Sequence, residues 1–546
     1  MALQLPRRQS MGGRRSTDAL IGPHHEAGSK LVIVMVGLPA SGKSYIAKKL
    51  CRYLNWLQHR TQVFNVGDRR RVASSSDGGL ASEEKKRPAP PRPSFSTTDA
   101  TFFDPTSSEC VSFRDQLAIN TLEELLDWLE VGGGNIGILD ATNSTSSRRE
   151  LLLSHIAQRC AESPKLSKTL RILFLESRCS DPRIREANIR LKLSGPDYAG
   201  KDPESSLADF RRRVAHYEKA YQPLGKAEEE KGLSFVSMTD AGRKMNTHLI
   251  RGFVASQTVE YLLNFNLARR QIWVSCTGES EDEIKGRIGR FSNLSPRGQK
   301  YAGALANFID EQRRAWLQNE ANHHHHNHVG ADQTATTGTE ARTSLDGDGG
   351  VNGEAEDASE DEDETDNAYG NAKGEPSEYC VWTSTWPQAM QTGCFFPKDV
   401  FDMTHTKMLD DLNAGKMAGL TVEEITTQHP LEYAARKRDK LLYRWPGLGG
   451  EGYVDLIVRL RPLIVELERT TDHLVLITHR AVVRVLITYF LGIQRDDLGE
   501  IQLPKDTVYC FDIEPYGISL RPFTYRPETG TFNQIPNSDL PFVSSS

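Results

Sequence analysis

The chain has 546 residues, which is enough for two or three domains, each with its own hydrophobic core. The formal net charge of -6 argues against wholesale nucleic-acid binding, although it is compatible with a local basic site. No apolar run approaches the length of a membrane span, and the N-terminus lacks the apolar region of a signal peptide. The eight cysteines are scattered without a C-x-x-C pair, as is usual in a reducing compartment. We therefore expect a cytoplasmic protein that binds neither nucleic acid nor membranes.

The first 29 residues are polar and contain several prolines and glycines, which predicts a disordered N-terminal tail. Within it, Arg7-Arg8-Gln9-Ser10 is the kind of sequence that basophilic kinases modify, and phosphate on Ser10 could pair with nearby arginines. Plain solvated basic residues explain this segment at least as well. A regulatory protein kinase that acts at Ser10 is therefore one of two interpretations.

The most informative stretch follows the tail. A continuous apolar run, Leu31 to Val36, predicts a strand that is buried on both faces. It leads into Gly37-x-x-x-x-Gly42-Lys43-Ser44 and then into a helical pattern, which is the P-loop in its required context. The glycines let backbone N–H groups surround phosphate oxygens, Lys43 would reach the β- and γ-phosphates, and Ser44 would hold Mg²⁺. A chance glycine-rich turn is the weaker explanation, so the chain is predicted to bind a nucleoside triphosphate.

An alternating pattern of strands and helices extends from the P-loop to about residue 240. Further strands are predicted at 61–67, 135–140, 170–177 and 233–238, an amphipathic helix at 112–130, and a flexible low-complexity insertion at about 74–96. This order is typical of a doubly wound, mostly parallel α/β sheet. Asp140 directly follows its strand, where it could organise Mg²⁺ or polarise a hydroxyl. A helix N-cap is the alternative role, and the two roles are compatible.

Arginines are frequent around this predicted active edge, beginning with Arg69 to Arg71 at the end of the second strand. A kinase that handles only ATP needs few arginines, whereas a second substrate with its own phosphate needs a separate guanidinium cluster. Each arginine alone is better explained as a solvated helix residue. As a set they predict a phosphorylated acceptor, and the candidates are Arg70 or Arg71, Arg114, Arg148 and Arg213.

The second half of the chain predicts another α/β domain. Its predicted strands are 271–278, 379–384, 473–479 and 507–513, and its predicted helices are 295–317, 453–469 and 481–492. Between about 319 and 377 lie a histidine tract, a threonine- and glycine-rich stretch and an acidic run, which predict a disordered insertion. The histidine tract could bind metal, but a solvated linker is the better explanation.

Motifs over about residues 30–515 resemble the 6-phosphofructo-2-kinase/fructose-2,6-bisphosphatase family; they include GLPASGKSYIAKKL, VFNVGDRRR, LDATN, GRIG, LSPRGQKYA and ITHRAVVRVLITYFLG. The resemblance implies a P-loop kinase domain at 30–265, a histidine-phosphatase-like (phosphoglycerate-mutase-like) domain at 270–515 and a C-terminal tail at 516–546. The first domain would make fructose 2,6-bisphosphate from ATP and fructose 6-phosphate, and the second would remove the 2-phosphate. Family members are commonly dimeric, so the resemblance, rather than the sequence itself, implies a homodimer.

Carried over residue by residue, the resemblance implies an intact kinase site. Its nucleotide-binding residues are Gly37, Ala40, Ser41, Gly42, Lys43, Ser44, Tyr45, Asn188 and Lys192. Lys43 and Asp140 take the catalytic positions, and Ser44 and Asp140 the positions near Mg²⁺. The implied fructose 6-phosphate contacts are Arg71, Arg114, Thr142, Arg148, Arg213 and Tyr217, whereas one arginine of the family pattern is replaced by Ser146.

The phosphatase half departs from the family pattern at the residues that carry the chemistry. Where histidine phosphatases have Arg-His-Gly, with the histidine attacking phosphorus, this chain has Cys276-Thr277-Gly278. A threonine hydroxyl without an activating base is a poor nucleophile, and the phosphate-holding arginine is lost. Glu283 and Gln388 replace an asparagine and a second arginine, and only Glu451 and His479 persist. With these departures, the resemblance predicts a pseudo-phosphatase that retains its fold.

The leading hypothesis is therefore a kinase that uses ATP and Mg²⁺ to make fructose 2,6-bisphosphate, a regulator of glycolysis. Three alternatives stay open: a bifunctional enzyme with residual phosphatase activity through His479, an ATP-binding regulatory scaffold, and a P-loop kinase of another small metabolite. Phosphate release from the product, and ADP release with and without fructose 6-phosphate, distinguish these alternatives.

Overall fold

The computed structural model describes residues 29–74 and 99–542, except 194, 196, 199, 290, 332–377 and 515–516. Ser10, nearly all of the predicted insertion at 74–96 and the acidic run lie outside the described residues. Within the described ranges, no helix is both long enough and apolar enough to cross a lipid bilayer. The chain divides into two compact units. The first contains the residues up to Asn266 together with Tyr453–Thr470 and Val485–Glu500, and the second contains the remainder.

The first unit is built on a six-stranded sheet. Its strands are β1 (Lys30–Val36), β2 (Thr61–Asn65), β3 (Ile136–Asp140), β4 (Leu170–Arg178), β5 (Phe235–Thr239) and β6 (Lys244–His248). Its helices in the N-terminal part are α1 (Lys43–Trp56), α2 (Val66–Ser74), α3 (Ser108–Glu130), α4 (Ser146–Glu162), α5 (Pro164–Thr169), α6 (Pro182–Leu193), α7 (Pro203–Ala220), α8 (Lys226–Glu230) and α9 (Phe253–Leu263), with a 3-10 turn at Ala100–Phe103. The strand order is β2-β3-β1-β4-β5-β6, and only the β5–β6 pair is antiparallel.

Strand β1 lies inside this sheet, and its residues from Leu31 to Val36 are all buried, as the apolar run predicts. Its neighbours β3 and β4 follow one another in the chain, so the connection between them crosses β1. At such a crossing the carboxyl ends of the strands leave a crevice in which α/β proteins bind ligands. The predicted doubly wound fold class is confirmed.

Two details of the first unit differ from the sequence-based expectation. Strand β2 ends at Asn65 rather than at residue 67, because the Asn65 Oδ1 atom accepts hydrogen bonds from the backbone N–H groups of Gly67 (2.8 Å) and Asp68 (3.2 Å) and starts α2. The arginines from Arg69 to Arg71 therefore lie on a helix rather than at a strand end. The antiparallel strand β6 has no counterpart in the sequence analysis, because its partly exposed KMNTH sequence lacks an apolar run.

The second unit is built on a seven-stranded sheet of order β13-β12-β11-β7-β10-β8-β9. The elements of this half are β7 (Arg270–Cys276), α10 (Glu281–Ile284), α11 (Pro296–Ala331), β8 (Tyr379–Thr383), α12 (Pro387–Gly393), β9 (Phe401–His405), α13 (Val422–Gln428), α14 (Pro430–Arg438), α15 (Tyr453–Arg469), β10 (His473–Thr478), α16 (Arg480–Leu491), β11 (Thr507–Glu514), β12 (Gly517–Arg526) and β13 (Thr531–Gln534). Helix α15 and the C-terminal part of α16 belong to the first unit.

Two boundaries in this half need correction. Residues 319–331 of the expected disordered insertion are helical, because α11 continues through the histidine tract to Ala331; no proline or glycine interrupts residues 304–329. The expected C-terminal tail at 516–546 instead supplies β12 and β13. Phe523, Tyr525 and Phe532 from these strands are buried in the core of the second unit, where they pack around Trp273 and Phe308.

Candidate active site

The loop between β1 and α1 has the conformation that a phosphate-binding loop requires. Its φ angles are positive at Gly37 (139°) and Gly42 (86°), a region that side chains rarely enter. A Cβ atom at Gly37 would lie 2.4 Å from the carbonyl oxygen of Ser177, so no larger residue fits there. Helix α1 begins at Lys43, and its N-terminal N–H groups therefore lie at the end of this loop.

Hydrogen bonds from three neighbouring elements hold this loop. The backbone N–H of Gly37 donates to the carbonyl of Thr142 (2.9 Å), which follows β3. The Asn188 side-chain amide, on α6, donates to the carbonyl of Ala40 (2.8 Å). The Ser177 hydroxyl, at the end of β4, donates to the carbonyl of Ser41. Thr142 and Asn188, both predicted to contact substrates, thus also shape the loop.

Lys43 is buried, with 7% of its surface exposed, and its ammonium folds back onto the loop. It donates to the carbonyl of Leu38 and, at 3.3 Å, to the Ser41 hydroxyl. Burial lowers the pKa of Lys43 to about 7; the charge of Asp140 opposes this shift, and the charges of Lys192 and Arg213 add to it. Burial therefore disfavours the ammonium form of Lys43, and a negatively charged ligand would stabilise that form.

Asp140 ends β3 and is 4% exposed. Its Oδ2 atom accepts a hydrogen bond of 2.7 Å from the Asn65 amide. The two residues are direct partners in the parallel pairing of β2 and β3, so their side chains meet at one sheet edge. Because Asn65 also caps α2, the carboxylate is oriented by a group that is itself fixed.

A cluster of three arginines surrounds Asp197, at the start of the segment that leads to α7. Asp197 accepts hydrogen bonds from Arg70 (2.5 Å), Arg213 (3.2 Å) and Arg71 (3.3 Å). Burial alone would raise the pKa of the Asp197 carboxyl, but Arg70 and Arg213, followed by Arg71, lower it below its usual range. The guanidinium of Arg213 also lies 3.9 Å from the ring centre of Phe103. We call these four charged residues the Asp197 cluster.

Two further predicted sugar-phosphate residues adjoin Phe103. Arg114 donates to the carbonyls of Phe103 (3.1 Å) and Asp104 (3.4 Å), and the Tyr217 ring centre lies 5.7 Å from that of Phe103. Arg148 has a different partner, since it pairs with Asp115 on α3. The fold therefore groups Arg71 and Arg213 in the Asp197 cluster, places the Tyr217 ring beside the Phe103 ring, and binds Arg114 to the Phe103 backbone.

The remaining predicted nucleotide residues have different surroundings. Lys192 is exposed on α6, and the Ser44 side chain is half-buried in the first turn of α1. The Tyr45 ring packs edge-on against Phe265, with ring centres 5.8 Å apart, and Lys49 lies 5.5 Å from the Tyr45 ring centre. Tyr45 thus contacts the helix layer behind the loop.

The first residues predicted for the phosphatase site lie in the second unit, at the carboxyl end of β7. Burial raises the pKa of the Cys276 thiol to about 12, an effect that Arg480 and Arg484 oppose and Glu283 reinforces. This thiol is therefore protonated near neutral pH and is neither a cation for phosphate nor a thiolate nucleophile. The backbone N–H of Thr277 donates to the carbonyl of Thr478 (2.9 Å), which pins the end of the strand.

The two persistent family residues, His479 and Glu451, each have a hydrogen bond to a hydroxyl or a backbone group. His479 is buried, and its Nε2 atom lies 2.8 Å from the Ser384 hydroxyl. The Glu451 carboxylate accepts the backbone N–H of Asn413 at 3.1 Å. Gln388 is buried, and its backbone carbonyl accepts the Thr392 hydroxyl at 2.7 Å, whereas Glu283 lies exposed on the short helix α10.

Comparison with known proteins shows which protein families the two halves of the chain resemble. The family model for 6-phosphofructo-2-kinase matches residues 19–269, and that for the histidine phosphatase superfamily (branch 1) matches residues 367–524. The "6-phosphofructo-2-kinase 1" of Saccharomyces cerevisiae is 41% identical over 96% of this chain and 56% of its own length. A "probable 6-phosphofructo-2-kinase" of Schizosaccharomyces pombe is 39% identical over 98% of this chain and 75% of its own length. The "6-phosphofructo-2-kinase/fructose-2,6-bisphosphatase" of Caenorhabditis elegans is 33% identical over 93% of each chain.

The chain belongs to the 6-phosphofructo-2-kinase/fructose-2,6-bisphosphatase family. This membership confirms the resemblance drawn from the motifs, and it makes the first unit a 6-phosphofructo-2-kinase domain. The chain spans 56% of the length of the Saccharomyces cerevisiae relative and 75% of the length of the Schizosaccharomyces pombe relative.

Several side chains that shape the kinase site escaped the sequence analysis. Asn65 could have been found, because it lies near the end of the strand predicted at 61–67, and Asp140 ends the strand predicted at 135–140. Ser177 and Asp197 carry weaker signals, since two of the residues that they contact, Ser41 and Arg70, lie more than 100 residues away in the chain. Phe103 follows the low-complexity stretch and lies in a short 3-10 turn, so no periodicity marks it as a contact for arginines.

The pKa of Lys43 predicts a proton linkage for nucleotide binding. Phosphate oxygens stabilise the ammonium form and raise this pKa, so binding takes up a proton wherever free Lys43 is neutral. We expect uptake close to one proton at about pH 8, almost none at about pH 5.5, and an ATP affinity that falls as the pH rises above about 7. Calorimetry in buffers of different ionisation enthalpy measures the uptake.

The control for this measurement is Lys48→Met, which removes an exposed lysine from the same helix and should leave the uptake unchanged. Lys43→Met should abolish it. Equal uptake by the unmodified protein at both pH values would contradict the assignment of a neutral, buried Lys43.

Proposed function

We propose that this chain is a 6-phosphofructo-2-kinase that transfers the γ-phosphoryl group of ATP to the C2 hydroxyl of fructose 6-phosphate, and that its phosphatase-like half is inactive. The observation that carries the proposal is the presence in one unit of two cationic sites, the phosphate loop with Lys43 and the Asp197 cluster. A kinase whose acceptor carries a phosphate needs two such sites. The names of the two fungal relatives mention only the kinase, whereas the name of the nematode relative mentions both activities.

ATP fits the phosphate loop, because Lys43 and the N–H groups at the start of α1 provide donors there, and Gly37 lets the loop pass close to the carbonyl of Ser177. Mg²⁺, when bound, neutralises charge that develops between the β- and γ-phosphates. Ser44 and Asp140 would hold it, since Mg²⁺ is usually bound by one or two carboxylates together with substrate phosphates and water. Asp140 suits this role: its Oδ2 is held by Asn65, and among the described residues Oδ1 accepts no hydrogen bond.

Fructose 6-phosphate would be held by its phosphate in the Asp197 cluster, where Arg71 and Arg213 already converge on an anion. Guanidinium groups grip phosphate in a fixed geometry, which fixes the direction of the sugar. The sugar would then lie towards Thr142 and Asp140, with Arg114, Tyr217 and Arg148 completing its surroundings. Asp140 would accept a hydrogen bond from the C2 hydroxyl and align its oxygen with the γ-phosphorus.

The phosphatase-like half is proposed to be inactive because its site lacks the attacking histidine and two arginines of the family pattern. Cys276 and Gln388 replace two arginines, so bound phosphate would be poorly compensated. Thr277 replaces the attacking histidine, and the Cys276 thiol beside it stays protonated. His479 could support residual activity only if it acted alone, and its Nε2 is engaged with Ser384.

The kinase assignment predicts the product. Incubation of the full chain with MgATP and fructose 6-phosphate should give fructose 2,6-bisphosphate, identified by mass and by its acid-labile 2-phosphate. Lys43→Met should lower turnover by about 10³-fold or more, because it removes a charge that stabilises the transferred phosphoryl group, and should leave thermal unfolding near normal. Release of ADP without dependence on fructose 6-phosphate would point to a kinase of another metabolite.

The phosphatase assignment predicts the absence of a reaction. Fructose 2,6-bisphosphate labelled at the 2-phosphate, incubated with the protein without ATP, should release no phosphate above the buffer rate. No phosphohistidine should be trapped after acid-free denaturation. Release that disappears in His479→Ala would instead establish the bifunctional enzyme.

The Asp197 cluster predicts an unusual response to the sugar phosphate. Asp197→Asn should lower stability by about 3–5 kcal/mol, because Arg70 is buried and loses its counter-charge. Fructose 6-phosphate should raise the melting temperature of this variant more than that of the unmodified protein, because the ligand phosphate supplies the missing anion.

The matched control is Asp127→Asn, which removes a more exposed carboxylate that pairs with Arg159 on the helix surface. Its stability should change by less than about 1 kcal/mol. If fructose 6-phosphate stabilises Asp197→Asn less than the unmodified protein, the sugar phosphate does not bind in this cluster.

A further inference from the structure

A buried charge cluster lies behind the nucleotide site. Glu468, on α15, is 3% exposed, and its two oxygens are fully engaged. Oε2 accepts a hydrogen bond from the Lys49 ammonium (2.7 Å), and Oε1 accepts from Arg52 (3.0 Å) and from the Tyr489 hydroxyl (2.5 Å). All four residues belong to the first unit, and none of these contacts involves the phosphate loop.

The two cations of this cluster lie on α1, the helix that begins at Lys43. Lys49 and Arg52 are three residues apart and therefore point to the same side of the helix. Lys49 is only 4% exposed, which is rare for a lysine unless it is paired. Such a cation is strongly destabilising once its partner is removed, so the position of α1 depends on the carboxylate of Glu468.

An aromatic contact joins this cluster to the end of the phosphate loop. The Lys49 ammonium lies 5.5 Å from the ring centre of Tyr45 and 5.0 Å from that of Phe265. Tyr45 directly follows Ser44, the proposed Mg²⁺ residue. Lys49 itself is six residues beyond Lys43, about 9 Å along the helix axis. A displacement of Lys49 would therefore be transmitted to the phosphate loop through more than one and a half turns of helix.

Glu468 and Tyr489 come from an unexpected part of the chain. Both lie in the region that matches the histidine phosphatase superfamily, residues 367–524, yet both fall in the first unit. Further contacts fix α15 there. The Asn266 amide donates to the carbonyls of Glu468 (2.6 Å) and Arg469 (2.9 Å), and Arg461 pairs with Glu260 on α9 (2.9 Å).

We infer that Glu468 is a positioning residue of the nucleotide site, and that α15 and the C-terminal part of α16 are retained as components of the kinase unit. The carboxylate holds α1 through Lys49 and Arg52, and α1 in turn presents Lys43, Ser44 and the helix N-terminus to the phosphates. This inference rests on the proposed kinase function, since ATP-dependent turnover is its main readout. It gives a physical reason why the phosphatase-like region persists without its chemistry.

The test uses full-length Glu468→Gln, which keeps the size of the side chain and removes its charge. We expect the KM for ATP to rise about tenfold and kcat to fall. The KM for fructose 6-phosphate should change less than about twofold, because the substrate-binding residues proposed on α1 all bind the nucleotide. The matched control is Glu466→Gln on the same helix, a more exposed carboxylate that pairs with Arg469; it should match the unmodified protein.

A second variant tests the cause. The double variant Lys49→Met/Glu468→Gln removes the more deeply buried of the two cations in this cluster, together with the negative charge that balances it. This double variant should recover at least half of the loss in ATP affinity, on a logarithmic scale, relative to Glu468→Gln alone. It also serves as the folded comparison should Glu468→Gln fail to fold.

Two results would overturn the inference. One is a Glu468→Gln protein that melts at lower temperature but keeps the normal KM for ATP, which would make the cluster merely structural. The other is an equal rise of both KM values, which would indicate general loosening. Should the unmodified protein fail to phosphorylate fructose 6-phosphate, the proposed function fails separately. Binding of a fluorescent ATP analogue then decides: weaker binding by Glu468→Gln than by Glu466→Gln supports the inference, and equal binding overturns it.

Discussion

A phosphate loop is a stretch of backbone whose N–H groups must point towards one place, and it keeps that shape only if its carbonyls are occupied elsewhere. Here Asn188 and Ser177 occupy the carbonyls of Ala40 and Ser41, and Thr142 binds the N–H of Gly37. Two of these partners stand at the ends of the strands on either side of β1. The conformation of the loop therefore depends on the strand order, which places β3 and β4 beside β1. The same strand ends also fix the positions of Lys43 and Asp140.

Local pattern and spacing were sufficient for the elements of this site but not for its supports. The buried strand before Gly37, the loop itself and Asp140 all leave signals within a few residues of chain, because steric and periodic rules act at that range. Asp197 contacts Arg70, and Ser177 contacts the carbonyl of Ser41, across more than 100 residues of chain, and a single sequence carries no record of such pairs. For the same reason, the sequence pattern of α15 predicts an apolar buried face, but it does not predict that α15 contacts α1.

The loss of phosphatase chemistry proposed for the second unit is compatible with an intact fold. Its core lies between the sheet and α11, where Trp273, Phe308 and Phe523 pack together. Cys276 and Thr277 lie at the carboxyl end of β7, outside this core cluster. Substitutions at strand ends remove few packing contacts, so they cost little stability compared with changes in the core. Selection for catalysis and selection for folding thus act on different residues of this unit.

The order in which the segments of the first unit occur has a consequence for the synthesis of the protein. Residues up to Asn266 leave the ribosome long before Tyr453–Thr470 and Val485–Glu500, which complete the same unit. Domains usually fold as they emerge, but here Lys49 and Arg52 must wait for Glu468. During that interval Lys49 and Arg52 on α1 lack the carboxylate that they contact in the folded unit. If Glu468 positions the nucleotide site as inferred above, catalytic competence is acquired only after α15 and α16 have been synthesised.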